Sequence, residues 1–320
     1  MYPKAVNVLA LTLNVLSMAE ASLSKRSAFV VSSVRNISTL RSSSSRSSSV
    51  DQNETETSPD NLQIDSMKSP WSYHNQEVAK SKGTGINKSR FRQHVNPLAR
   101  IYQMQTELND EWPNDGTFTD PSLPLFVDIG CGKGGFLLDL AQKNKDENDK
   151  STNYLGLEIR PSVALYAKER VAKHNLTGSL DFIGCNVNVD LDRIFQKYQR
   201  FGGEITLVSI QFPDPHFKKQ HQKRRVVTPE LVQTLAAHMN EGSQVFIQSD
   251  IKDVLDNMRE TIRECGSLWF IDQIENMNEY IEENPVGVAT EREVSVLNQN
   301  LPVYRTLFRR TGVPFSKNDF

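Results

Sequence analysis

The 320-residue chain has few cysteines, no long apolar run and little excess of either charge. Cys131, Cys185 and Cys265 stand far apart and form no CxxC pair, so neither a zinc cage nor a disulfide framework is predicted, and a reducing compartment is expected. No apolar run approaches the ~20 residues that a membrane-spanning helix needs, so no membrane association is expected. The formal net charge of −2 excludes a globally basic nucleic-acid-binding domain, so any such surface must come from local clusters.

The first 50 residues differ in composition from the rest of the chain. They contain fourteen serines and six Lys or Arg against one acidic residue, Glu20. This composition is typical of an organellar transit peptide, and its serine-rich balance favours the chloroplast over the mitochondrion. The alternative is a disordered tail without a targeting role, which would leave the protein in the cytoplasm or nucleus. Residues 51–88 are polar without hydrophobic periodicity and are predicted to form a linker.

From about Leu125, short apolar runs alternate with stretches of helical periodicity, which predicts an α/β fold with a doubly wound, mainly parallel sheet. Predicted strands cover residues 125–129, 154–158, 180–185, 205–211, 244–248 and 268–274. Predicted helices cover residues 136–144, 162–173, 191–198, 229–239 and 254–264. Ligands bind such sheets beyond the carboxyl ends of the strands, so the functional site is sought directly after each strand.

A glycine-rich loop, DIGCGKGG (residues 128–135), follows the first predicted strand and leads into a helix. Glycines let a backbone turn sharply and approach a ligand closely. The loop also fits the GxGxxG pattern of dinucleotide-binding proteins, so a nicotinamide site is a competing interpretation. Two acidic residues favour a methyl donor instead, because Asp128 precedes the glycines and Glu158 ends the second strand.

This combination resembles the cofactor site of class I methyltransferases. The resemblance implies that S-adenosylmethionine binds with its methionine part over the glycine loop and its ribose hydroxyls on Glu158. The end of the third strand, GCNVN (residues 184–188), would then meet the adenine.

A second polar group follows the fourth predicted strand, in the segment QFPDPHFKKQHQKRR (residues 211–225). Pro213 and Pro215 restrict the backbone on both sides of Asp214 and hold this carboxylate at the edge of the sheet where the cofactor is expected. In isolation the segment would be read as a surface turn before a solvated charged face. Its place after a buried strand, with five Lys or Arg within eight residues, favours a phosphate-binding surface formed in part by Lys223, Arg224 and Arg225.

The segment FPDPHFKKQHQKRR resembles the signature of the tRNA (guanine-N7-)-methyltransferase family. DIGCGKGG, LEIR (residues 157–160) and RQHVNPL (residues 92–98) are similar to further segments of this family, so the likeness covers about residues 90–311. It implies a methyltransferase domain over residues 89–320 that methylates a guanine in the tRNA variable loop. With the transit-peptide composition, it implies a plant organellar member. Eukaryotic members commonly use a β-propeller partner and bacterial-like members act alone, and organellar targeting favours the second.

The resemblance also implies roles for individual residues. Asp214 matches the family's proposed catalytic residue. The residues expected to line the cofactor are Asp128, Gly130, Gly132, Gly134, Glu158, Arg160, Asn186, Val187 and Gln211. The residues expected to contact the substrate are Lys218, Asp250, Thr290 and one glutamate of the segment TERE (residues 290–293).

Two points of the resemblance stay open. Bacterial relatives keep the late glutamate at the position of Glu293, whereas eukaryotic relatives have an acid where this chain has Arg292, so Glu291 and Glu293 are both candidates. The closing FRR (residues 308–310) is also similar to the family, and its arginines are expected either to reach phosphate or to end a strand in water. No metal is expected, because the histidines of the chain lack a metal-ligand spacing.

The expected chemistry is methyl transfer governed by alignment. Guanine N7 carries a lone pair and no proton, so no strong general base is needed. The methylated purine is cationic, so the Asp214 carboxylate would stabilise the developing charge and could accept hydrogen bonds from guanine N–H groups. The rival functions are methylation of another RNA and an inactive RNA-binding protein. The intact glycine loop and Asp214 disfavour the second, and the basic run disfavours a small-molecule substrate.

Overall fold

A computed structural model of the chain describes residues 95–216 and 219–319. The predicted transit peptide, the predicted linker and Lys218 lie outside the described residues. The strands are β1 (Leu125–Ile129), β2 (Asn153–Glu158), β3 (Leu180–Gly184), β4 (Ile205–Gln211), β5 (Met239–Ser249), β6 (Phe270–Asp272) and β7 (Tyr304–Arg310). The α-helices are α1 (Gly135–Asp146), α2 (Pro161–Lys173), α3 (Val187–Gln199), α4 (Pro229–His238), α5 (Lys252–Cys265) and α6 (Glu291–Leu297). Short 3-10 turns cover Arg100–Gln103, Lys219–Arg224 and Lys317–Asp319.

The strands form one sheet in the order β3-β2-β1-β4-β5-β7-β6. Neighbouring strands from β3 to β5 are parallel, whereas β7 runs antiparallel to both β5 and β6. The chain enters the sheet at β1, moves outward to β3 and returns beside β1 as β4. The loops after β1 and β4 therefore diverge, which opens a crevice at their carboxyl ends. The predicted α/β class is confirmed.

Helices cover both faces of the sheet, as the buried strands require. Side chains of α3, α4 and α5 share one apolar core with the sheet, and side chains of α1 and α2 share the other. Local sequence sets several helix starts. Pro161 and Pro229 stand at first helical positions, and the Thr228 hydroxyl accepts a hydrogen bond from Leu231 N at 3.2 Å. No helix within the described part of the chain is long and apolar enough to cross a bilayer.

The predicted strands and helices are present with shifted boundaries, but α6 and β7 were not predicted. In β7, the sequence YRTLFRR contains two arginines, Arg305 and Arg310, that are buried in the fold although arginine usually marks a surface. The expectation for Arg310 was wrong, because it is 5% exposed. Its guanidinium donates to Ala236 O at 2.9 Å and Val313 O at 2.8 Å, so it ties the end of α4 to the segment after β7.

Candidate cofactor and substrate site

Two adjoining cavities open at the carboxyl ends of β1, β2 and β4. Cavity A, about 900 Å³ with part of it open to solvent, lies beside Glu158, Asn186 and Asp214. Cavity B lies between the glycine loop and the first residues of α6. Gly130, Arg160, Gln211 and Phe212 line both. The fold therefore brings the predicted cofactor residues, except Gly134, and the predicted catalytic aspartate to the cavities at one edge of the sheet. Gly134 lines neither cavity.

The glycine loop is tied to β2 and packed against β3. The backbone N–H groups of Gly130 and Cys131 donate to Leu157 O at 2.8 and 3.1 Å. Gly134 has a φ of +76°, and a Cβ there would stand 2.4 Å from the ring of Phe182, so no larger residue fits. A Cβ at Gly130 would instead meet open space, and its φ of +80° is the reason for glycine. The loop thus presents backbone to the cavities.

Glu158, at the end of β2, is 3% exposed and accepts four hydrogen bonds. The donors are Gly132 N at 3.0 Å and the N, Nε and Nη2 atoms of Arg160 at 3.0, 2.8 and 3.0 Å. The hydrogen bonds with Glu158 raise the pKa of the Arg160 guanidinium, and the charge of Asp214 adds to this. A carboxylate has about four acceptor positions. A ribose would therefore reach Glu158 by replacing donors of the Arg160 side chain.

Asp128 is buried at the end of β1, beneath the glycine loop. Its Oδ1 accepts from Ser209 Oγ at 2.6 Å and from Gln211 Nε2 at 3.1 Å. Burial raises the pKa of Asp128 to about 7, with a smaller contribution from the charge of Glu158, although both hydrogen bonds act in the opposite direction. Burial also raises the pKa of the Cys131 thiol well above its usual value, so Cys131 is a neutral packed side chain.

Asn186 and Val187 line cavity A where α3 begins. The Asn186 Oδ1 atom caps this helix by accepting from Asn188 N at 3.2 Å. Its Nδ2 atom donates to Tyr102 O at 3.0 Å, which holds the segment before the sheet against the cavity. Pro97 of that segment completes the cavity wall.

Asp214 lines cavity A between two residues with positive φ, Phe212 at +50° and His216 at +42°. Such values are rare for residues other than glycine and occur often at functional sites. Arg224 and Arg225 line the same cavity, whereas Lys223 is exposed and lines neither cavity. The basic run is thus divided, because Arg224 and Arg225 line the cavity that Asp214 also lines and Lys223 does not.

The two candidate glutamates of the segment TERE (residues 290–293) lie in different surroundings. Thr290, Glu291 and Arg292 line cavity B, and Arg292 forms an ion pair with Asp250. Glu293 is 2% exposed and closes a capping box with Thr290, whose Oγ1 accepts from Glu293 N at 3.0 Å. Glu291 is therefore the glutamate that reaches the cavity surface. The substrate contacts of Asp250 and of this segment stay predictions.

Glu293 is held by residues that sequence reasoning missed. Its oxygens accept from Arg305 Nη2 at 2.6 Å, Asn284 Nδ2 at 2.8 Å and Gln248 Nε2 at 3.1 Å. Gln248 lies one residue before the end of β5 and pairs with Gln211 of β4, and its place near a strand end was the one signal that could have found it. Arg305 lies in an unpredicted strand. Across residues 95–216 and 219–319, no three His, Cys, Asp or Glu side chains are grouped so that they could hold a metal ion.

Comparison with known proteins identifies one family model and several relatives of this chain. Residues 122–306 match the family model described as "Putative methyltransferase". The tRNA (guanine-N(7)-)-methyltransferase of Synechococcus elongatus is 42% identical over 229 residues, which cover 69% of this chain and 96% of that protein. The protein of the same name from Synechocystis is 39% identical over 222 residues, covering 69% of this chain and 98% of that protein. The crystal structure of the aminoglycoside resistance methyltransferase NpmB1 matches with a TM-score of 0.39 and 14% identity, over 64% of this chain and 95% of that chain.

Proposed function

We infer that this chain, which belongs to the tRNA (guanine-N(7)-)-methyltransferase family, transfers a methyl group from S-adenosylmethionine to N7 of a guanine in tRNA. The observation that carries the inference is 42% identity over 96% of the Synechococcus relative. Residues 122–306, which match the family model, include the whole lining of cavity B and that of cavity A except Val95 and Pro97, so the likeness includes the site and is not confined to the fold.

The cavities fit S-adenosylmethionine, which supplies an electrophilic methyl group on a sulfonium. Apolar side chains of Ile129, Leu157 and Val187 line cavity A, where an adenine would be held, and Glu158 offers the acceptor for ribose hydroxyls. Cavity B, with Asp128 and the glycine loop, suits a cationic methionine part. The loop leaves room for close approach because a side chain at Gly130 would point into this space.

Asp214 is the residue that we assign to the acceptor base. It stands in cavity A beside Arg160, close enough for its charge to raise the pKa of that guanidinium. The prolines and the two strained residues around it limit its motion, which suits a group that must stand against a purine during in-line transfer. As N7 is methylated the purine becomes cationic, and the carboxylate stabilises the product-like charge more than the neutral base.

The substrate surface extends from this cavity along the basic run. Arg224 and Arg225 face the cavity with Asp214 and would contact phosphates next to the target nucleotide. Lys223, which is exposed, would contact backbone farther away. We propose the variable loop of tRNA as the target, on the resemblance of FPDPHFKKQHQKRR to the family signature.

The direct test is methyl incorporation from labelled S-adenosylmethionine into unmodified tRNA by the purified full chain, followed by nucleoside analysis. N7-methylguanosine in the product is expected, without any added protein partner. The Asp214→Asn variant is the control for a contaminating activity. Label in another nucleoside would contradict the assigned substrate atom, and label that appears only with a cell extract would indicate a required partner.

We also propose a chloroplast location, with residues 1–50 as the transit peptide. Their serine-rich, nearly acid-free composition supports it. A fluorescent protein carrying residues 1–50 should enter plastids, and the same reporter carrying residues 51–88 should not. Entry into mitochondria, or a cytosolic reporter, would contradict the proposal.

A further inference from the structure

A buried row of hydrogen-bonded polar side chains, called the polar relay, crosses four neighbouring strands, from β7 to β1. Arg305 Nε donates to Gln248 Oε1 at 3.0 Å, and Gln248 Nε2 donates to Gln211 Oε1 at 2.6 Å. Gln211 Nε2 then donates to Asp128 Oδ1 at 3.1 Å. All four residues are at least nine-tenths buried, and the polar relay ends on an acid of cavity B.

The donor-to-acceptor direction of the hydrogen bonds in the polar relay follows from the chemistry of its first member, Arg305. An arginine side chain can only donate hydrogen bonds, so Gln248 must turn its oxygen to Arg305 and its nitrogen to Gln211. Gln211 must then accept with its oxygen, which leaves its nitrogen for Asp128. The arginine at one end and the carboxylate at the other leave one consistent arrangement of the two amides.

We propose that Arg305 is a positioning residue of the methyl-donor site, acting through Gln248 to keep the Gln211 amide donating to the Asp128 carboxylate. The proposal rests on the proposed function, because it concerns how the chain binds S-adenosylmethionine. Arg305 itself lines neither cavity.

Arg305 also secures the opposite wall of cavity B. Its Nη2 pairs with Glu293 Oε1 at 2.6 Å, and its Nη1 donates to Glu282 O at 2.8 Å. Glu293 in turn caps the helix whose first residues line the cavity. One buried guanidinium thus connects the acid beneath the glycine loop with α6.

The polar relay affects how the binding of S-adenosylmethionine depends on pH. The charged and titratable groups acting on Asp128 are Glu158 of β2 and Cys131 of the loop, and its donors are Ser209 and Gln211. Since burial raises the pKa of Asp128 to about 7, the donors decide how much of it is ionised near neutral pH. S-Adenosylmethionine is cationic at its sulfonium and ammonium groups, so it binds the ionised form more tightly. Its affinity should therefore fall as the pH drops through about 7.

The test is calorimetric titration of S-adenosylmethionine into the full chain between about pH 5.5 and 8.5, comparing wild type with Gln248→Met. This variant breaks the polar relay and removes the donor of Gln248 to Glu293, but it keeps the ion pair of Arg305 and Glu293, so it should fold. Its affinity midpoint should move up by about one pH unit, as expected for the lost support of one hydrogen bond to a charged group. Gln211→Met should shift the midpoint in the same direction, and the double variant should shift it no further than Gln211→Met alone. The ligand's own ionisations are common to all variants and cancel in the comparison.

Two further variants separate Arg305 from general stability. Replacing both Arg305 and Glu293 by Met removes the first donor without leaving a buried unpaired charge, and should shift the midpoint in the same direction. Arg310→Met removes an arginine of the same strand that is similarly buried but does not belong to the polar relay. It should lower the free energy of unfolding and leave the pH midpoint of the affinity unchanged.

The possible outcomes are distinct. A Gln248→Met midpoint equal to that of wild type, or a wild-type affinity that does not vary around pH 7, would overturn the proposal. A shift with Gln248→Met but none with the Arg305 and Glu293 double variant would remove Arg305 from the role. A wild-type chain that binds no S-adenosylmethionine at any pH would instead contradict the proposed function, and the positioning role with it.

Discussion

Replacing Glu158 by Gln tests the cofactor assignment most directly. The carboxylate accepts from Gly132 N and from three nitrogen atoms of Arg160. A glutamine has one acceptor oxygen, and its NH₂ group would face former donors. It can serve about two of the four donors, and the same shortage applies to the ribose hydroxyls that replace Arg160.

The expected loss follows from that count. The free protein loses acceptor positions for Arg160 and the complex loses them for the ribose, so the loss in binding free energy is the difference between the two. We expect this difference to be about one hydrogen bond to a charged group, roughly 1.5 kcal/mol. The dissociation constant of S-adenosylmethionine should therefore rise about tenfold. Calorimetry should show this loss for the cofactor and for S-adenosylhomocysteine, but much less of it for an S-adenosylhomocysteine analogue without the two ribose hydroxyls.

Asp181→Asn is the matched control. Asp181 is a buried carboxylate of β3 that pairs with Lys168 at 2.8 Å and lines neither cavity. It should lower the free energy of unfolding with little effect on cofactor binding. A change of less than about threefold in Glu158→Gln, or an equal loss for the analogue without hydroxyls, would refute the assignment of Glu158 to the ribose.

Variants of Asp214, of the basic run and of Asp128 test the rest of the site. Asp214→Asn should lower kcat by about 10²–10³-fold while the dissociation constant of S-adenosylmethionine changes little, and equal losses in both would argue against a role in transfer. Lys223→Ala should reduce the slope of log affinity for tRNA against log salt by up to about 0.9. Replacing Arg224 and Arg225, which line cavity A, should also lower kcat. If the salt slope of tRNA affinity stayed unchanged in the variants of Lys223, Arg224 and Arg225, the basic run would be an ordinary solvated surface. Because the pKa of Asp128 is raised to about 7, the folded state retains a proton that the unfolded state loses at lower pH, so this group's contribution to stability falls as the pH rises towards 7. Asp128→Asn should therefore gain stability relative to wild type between pH 5 and pH 8 in urea unfolding, and an equal difference at both pH values would contradict the raised pKa.

The sequence by itself determined the α/β class and most of the site. The glycine loop, Glu158 and Asp214 each stand at or within three residues of the end of a strand that periodicity predicts. The ends of parallel strands meet at one edge of a sheet, so local patterns were sufficient to bring these residues together. The resemblance of the motifs to the family then indicated the substrate, and the similarity to the relatives from Synechococcus and Synechocystis supports this assignment.

Only the tertiary structure decided the residues whose partners are distant along the chain. Periodicity treats arginine as a surface residue, so β7 was missed, and with it the burial of Arg305 and Arg310. Arg305 lies 12 positions from Glu293 and 57 from Gln248. Pairing of β7 with β5 places Arg305 beside Gln248, and Glu293 reaches Arg305 from α6. The same contacts bury Glu293 and leave Glu291 on the wall of cavity B. A buried charge is stable only where the fold supplies its partners, and no local pattern of residues records where those partners will stand.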